Sequence, residues 1–172
     1  MISLSTAFKH ASIFVIALVP VFACAQRSTT LSSSSSIVIV QSTAIYKTND
    51  MQFGLIVPGP LGGTVVLSTS GTRTKTGSIL LPSGGSASAA GFALLGAPST
   101  SFSISYPSSV TLNRVGGSDS MTVTAIVASP SSGGTLSAGG SATVKIGGTL
   151  TVSPTQTFGQ YSGSFNVTVS YP

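Results

Sequence analysis

The chain has 172 residues, of which 41% are hydrophobic and only 5% charged, with a formal net charge of +5, enough for one core and too little for two comfortable domains. Its seven basic residues stand singly apart from Arg73-Thr74-Lys75, which excludes the basic stripe of a nucleic-acid binder. A single cysteine and a single histidine leave no material for a disulfide framework or a His/Cys metal cluster.

Residues 1–25 read as a secretory signal peptide. Lys9 and His10 precede an apolar run from Ala11 to Phe22, and Ala23-Cys24-Ala25 offers small residues for cleavage after Ala25. The run is too short to span a bilayer as a helix, and no later segment approaches the roughly 20 apolar residues a transmembrane helix needs. The expected mature chain is therefore exported, to periplasm, cell surface or medium. A second reading makes Cys24 a lipidated first residue, although Phe22 is bulky where a lipoprotein signal carries a small or β-branched side chain. Cleavage after Ala25 would remove the cysteine and the histidine. Arg27, Lys47, Arg73, Lys75, Arg114 and Lys145 would remain against Asp50 and Asp119, six minus two, or +4.

Residues 26–36 form a Ser-rich leader too polar to pack by itself. From residue 37 to 172 the sequence becomes a series of short runs rich in Val, Ile, Thr, Phe and Tyr, bounded by Gly, Pro and Ser. Expected strands are SIVIVQSTAIYK, MQFGLIV, GTVVLS, TGSILLP, ASAAGFALLG, SFSISYP, DSMTVTAIVAS, SATVKIGGTLTV and GSFNVTVSY. Ile37 to Val40 is apolar on both faces, which suits a segment buried between two sheets. Two readings of it stay open: the first strand of its own sandwich, or a donor strand for a neighbouring molecule with Ile37 and Ile39 as the inserted residues. Six Gly-Gly pairs, beginning at Gly62, Gly84, Gly116, Gly133, Gly139 and Gly147, mark expected turns and bulges. Arg73 to Lys75 reads as a solvated hairpin end. Many short strands with irregular turns describe an all-β protein, an immunoglobulin-like antiparallel β-sandwich.

Catalytic chemistry is missing from the pattern. No phosphate-binding loop, no Ser-x-x-Lys and no histidine to serve as a base in the mature chain can be found. Asp50 and Asp119 sit in turn-like contexts, where an aspartate caps backbone N–H groups. Asn166-Val-Thr168 matches a glycosylation sequon but reads more simply as cross-strand pairing. The expectation is a protein without cofactor or metal that is not an enzyme.

The last run, QYSGSFNVTVSYP, alternates most cleanly. Phe165, Val167, Val169 and Tyr171 share one face; Ser164, Asn166, Thr168 and Ser170 share the other. An edge of this kind invites pairing with another strand.

The segments KIGGTLTVSPTQTFGQYSGSFNVTVSY, MQFGLIV, GTVVLSTSGTRTKTG and AAGFALLGAPSTSFSISYPSSVTL together resemble the DUF4402 family of exported bacterial β-proteins, over residues 44 to 172. The C-terminus also resembles chaperone–usher pilins and spore-coat-U-like proteins. Tyr171 is penultimate, and Gly159 is fourteenth counting back from Pro172. This likeness implies a fimbrial structural subunit whose terminal strand, carrying Gly159, Tyr161, Phe165, Val167, Val169 and Tyr171, pairs with a periplasmic chaperone, an usher-assembled neighbour, a related subunit or another copy. The missing disulfide and the final Pro172 depart from that pattern. Two rival functions stand beside it: a small outer-membrane β-barrel, and a sugar-binding or adhesive module using Tyr46, Tyr106 or Tyr161, each of which reads better as sheet packing.

Overall fold

A computed structural model describes residues 42–172. The expected signal peptide, the Ser-rich leader and the donor candidates Ile37 and Ile39 lie outside the described residues. Within them the chain forms β1 (Ala44–Asn49), β2 (Gly63–Leu67), β3 (Arg73–Lys75), β4 (Ala90–Leu95), β5 (Ser101–Ser105), β6 (Val110–Arg114), β7 (Ser120–Ser129), β8 (Gly133–Thr135), β9 (Ser141–Val152), β10 (Tyr161–Ser162) and β11 (Thr168–Ser170). No helix among the described residues is long and apolar enough to cross a membrane.

The larger sheet runs β1-β4-β9-β7-β6-β10, with β2 also on β9 and β3 on β2; the smaller runs β11-β5-β8. Every pairing is antiparallel. One core cluster draws on both sheets, with Leu94, Val144 and Ile146 from the larger and Phe102 from the smaller. The protein is an all-β sandwich.

β9 organises the larger sheet because period-two alternation puts Val144, Ile146, Leu150 and Val152 inward, all buried. Its first half pairs with β4, from Ser141↔Leu95 to Ile146↔Ala90. Its second half pairs on the same edge with β2, from Gly148↔Leu67 to Val152↔Gly63. β7 lines the opposite edge and carries a bulge between Thr124 and Val127, where Ala125 has φ 45°. Gly147-Gly148 lies at the same level, and a Cβ on Gly147 would collide with the carbonyl oxygen of Leu67. The bulge and the glycine pair bend the sheet there. This pair lies inside β9, which coincides with the expected strand SATVKIGGTLTV, whereas Gly133-Gly134, in no expected strand, lies within β8.

Two expected strands are not strands. The isolated bridge Val57↔Leu80 joins MQFGLIV to TGSILLP, and Gln52↔Ser88 ties the first to the segment before β4, while single backbone hydrogen bonds from Thr76 to Thr64 and from Ser78 to Gly62 tie the second to the start of β2. Gly54 at φ +68° takes the first out of extended geometry, and Leu55 is exposed although the alternation would bury it. The Arg73 guanidinium instead donates to the carbonyls of Phe53 at 2.6 Å and Leu55 at 3.0 Å. Arg73 to Lys75 is accordingly the second strand of the β2–β3 hairpin, with Thr74 and Lys75 exposed and Arg73 acting as a clamp. Ile79 in the second run is fully buried without strand structure.

A candidate assembly site

The C-terminal run from Tyr161 to Ser170 travels antiparallel to the segment from Arg114 back to Ser103. Tyr161 and Ser162 pair with Arg114 and Asn113 in the larger sheet; Thr168, Val169 and Ser170 pair with Ser105, Ile104 and Ser103 in the smaller. Residues 163–167 carry no ladder as the run changes sheets. The neighbouring segment holds Pro107 here, which has no N–H to donate. A strand that switches sheets makes a sandwich corner. Asn166 lies in this unpaired stretch and is exposed, so its expected cross-strand pairing is not formed.

Side chains along the run alternate. Phe165, Val167, Val169 and Tyr171 are half-buried against the core, whereas Ser164, Asn166, Thr168 and Ser170 are exposed. Gly159 lies against the aliphatic stem of Arg114. The Tyr161 hydroxyl donates to the Thr157 carbonyl at 2.8 Å and accepts from Gln156 Nε2 at 2.7 Å, closing the loop before β10. Tyr171 and Thr43 both lie close to Gly96, and the Tyr171 hydroxyl is buried with no hydrogen-bond partner among the described residues.

The opposite flank is β1. Ile45 sits across from Leu94 and so shares its face, yet Leu94 is 0% exposed and Ile45 is 43% exposed. Among the described residues, the inner side of β1 is therefore only partly covered at Ile45. Between β1 and the C-terminal run lies a groove of about 360 Å³, bordered by Lys47 and Asn49 on one side and Tyr161 to Phe165 on the other, with Ala90, Phe92, Val110 and Val123 among its lining. It adjoins a second cleft of about 450 Å³ that shares Phe53, Leu112 and Tyr161 with it. Among the described residues, β1 is paired only to β4, β10 only to β6, and β11 only to β5. The groove therefore has an unpaired strand edge on each side and core residues at its base.

Polar ties fix the loop ends. Arg114 Nε donates to Asp119 Oδ2 at 2.8 Å, and the Thr157 hydroxyl donates to Asp119 Oδ1 at 2.7 Å. The Thr157 hydrogen bond first, and the Arg114 guanidinium with it, hold the Asp119 carboxyl below the usual carboxylate range. Asp50 accepts from Lys47 Nζ at 2.6 Å. Neither aspartate side chain caps a turn N–H as expected; each pairs with a cation, because the nearby basic side chain outcompetes a neutral amide.

Of the residues singled out from sequence, Tyr161 and Phe165 line the groove, Gly159 lines the adjoining cleft, and Val167, Val169 and Tyr171 continue the same buried face. Tyr46 is 56% exposed on the outer side of β1 rather than packed in the sheet. Tyr106 packs against the core and donates to the Ser131 carbonyl at 3.0 Å. Ile45, Phe53 and Phe92 emerged only with the structure, since their importance depends on which strands are neighbours. A family model described as "Domain of unknown function (DUF4402)" matches residues 43–171. No curated protein and no solved structure matches the chain.

Proposed function

The chain belongs to the DUF4402 family, and from that premise we propose that it is a non-catalytic structural subunit of an exported, pilus-like surface assembly that associates by β-strand pairing. The observation that carries this reading is the groove between β1 and the C-terminal run. Among the described residues, two unpaired edges flank a groove with core residues at its base, and an extended apolar segment laid between them would gain main-chain hydrogen bonds on both sides while covering Phe92 and Phe165. The open order of the larger sheet, with β1 at one end and β10 at the other, favours strand addition over a closed membrane barrel. The segment proposed to fill the groove is the apolar run Ile37 to Val40, from the same chain or from a neighbour. An assembly chaperone would occupy the groove until then.

Deleting Thr30 to Val40 from the exported protein tests this. Loss of multimers with a folded monomer assigns the run to a neighbour's groove; loss of folding assigns it to the chain's own sheet. Unchanged multimers and an unchanged melting temperature would sink the proposal. Wild-type chain that stays monomeric at all concentrations, alone and with its co-expressed chaperone, would remove the assembly role altogether.

A further inference from the structure

The register of the larger sheet gathers five strand ends at one pole. Gly63 lies opposite Val152, Thr122 opposite Thr151, Ser120 opposite Asn113 and Arg114 opposite Tyr161, so β2, β7 and β10 start where β9 and β6 finish. The loops there carry Leu55, Val57, Leu61, Leu80, Val115 and Phe158, all exposed. Leu61 and Phe158 are 81% and 82% exposed, more than any other large apolar side chain among the described residues. They are joined across the pole: Val57 bridges to Leu80, Gly62 accepts from Ser78 N–H, and Leu55 and Phe158 both line the 450 Å³ cleft. Isolated exposed apolar residues are ordinary, whereas a cluster confined to one end marks a contact surface.

The charge of this pole is one-sided. The Arg73 guanidinium rests on the Leu55 carbonyl and the Lys75 ammonium on that of Ile79, beside Leu80. Neither cation has a carboxylate partner among the described residues, while Arg114 is neutralised by Asp119, so three basic groups less one acidic group leave +2. Cations on one flank of projecting Leu and Phe side chains match an interface that is anionic outside and apolar within. We propose that this pole docks on a lipid surface bearing anionic headgroups, with Leu61 and Phe158 entering the acyl boundary and Arg73 and Lys75 meeting the headgroups. A symmetric pole-to-pole dimer would bury the same side chains, but it sets +2 against +2. The proposal is independent of the groove and of strand addition.

Co-sedimentation of the whole exported chain with vesicles of phosphatidylcholine alone, and of phosphatidylcholine with phosphatidylglycerol, tests it. Binding is expected to the mixed vesicles, to weaken as salt is raised, and to fall at least roughly tenfold in Leu61→Ser/Phe158→Ser, since full burial of even one such side chain is worth about a factor of ten or more. Both side chains are exposed, so the variant should melt with the wild type. Equal vesicle binding by wild type and double variant, or none by the wild type to either vesicle, would overturn the proposal. Sedimentation velocity closes the remaining route: a concentration-dependent dimer that the double variant abolishes, without vesicle binding, would hand the pole to a second copy instead.

Discussion

At the scale of single residues, stability concentrates where a lone charge replaces a ladder. The Arg73 guanidinium supplies hydrogen bonds to carbonyls of a segment that has almost no strand partners of its own. Arg73→Met keeps much of the stem and removes the donors, leaving the Phe53 carbonyl unsatisfied; a loss of about 1–3 kcal/mol in urea unfolding is expected. A loss within error would mean that water replaces the guanidinium freely. Asp119 makes a pH prediction with a definite sign. Its folded pKa is lowered by Thr157 and Arg114, so its contribution is present above the unfolded value near ~4 and fades as pH falls through the lower folded value. Wild type should therefore melt above Asp119→Asn at pH 6, and the gap should close at acid pH. A gap that stays constant would show that the charge of Asp119 does not matter.

Elements are where the two faces of the C-terminal run can be told apart. Val167→Asp places a carboxylate on the half-buried face and should cost several kcal/mol, a large share of the ~5–15 kcal/mol of a typical domain. Thr168→Asp lies on the exposed face and should stay within ~0.5 kcal/mol. Equal melting temperatures for the two variants would contradict the alternation. That alternation was legible because it is local: a period of two depends on nothing but successive residues. β2, β4, β5, β7 and β9 were legible as well, as short runs rich in apolar and β-branched residues between Gly, Pro and Ser. β3 and β8 were not, since Arg73-Thr74-Lys75 and Gly133-Gly134-Thr135 have no apolar period and become strands only through the neighbours that supply their ladders, and β6 offers just Val110 and Leu112 in a five-residue run after a proline and two serines. Met51 to Val57 misled in the opposite sense, its alternation interrupted by one positive φ at Gly54. The C-terminal side of the groove could be read from sequence; the β1 side could not, because Ile45 is exposed only by what does not lie beside it.

For the whole molecule the pairings are long in sequence. β9 joins β2 and β4, placing Val65 beside Leu150 and Ala90 beside Ile146. Closing such loops before any contact rewards them slows folding, so refolding from urea should take milliseconds to seconds or longer, within the range of all-β domains. Microsecond refolding would require a local nucleus that these pairings do not supply.

The place of β9 in the chain also bears on biosynthesis. β1 with β4, β2 with β3, β6 with β7 and β5 with β8 can each meet in a nascent polypeptide, but the strand that unites the first three of these pairs in one sheet begins only at Ser141. Until the ribosome has released that stretch, the product is a set of separate strand pairs without the sheet that unites them, and two-stranded ribbons are marginal in water. Translation products that stop short of Ser141 should therefore be cleared by proteases, and only chains completed through Val152 can become resistant to them.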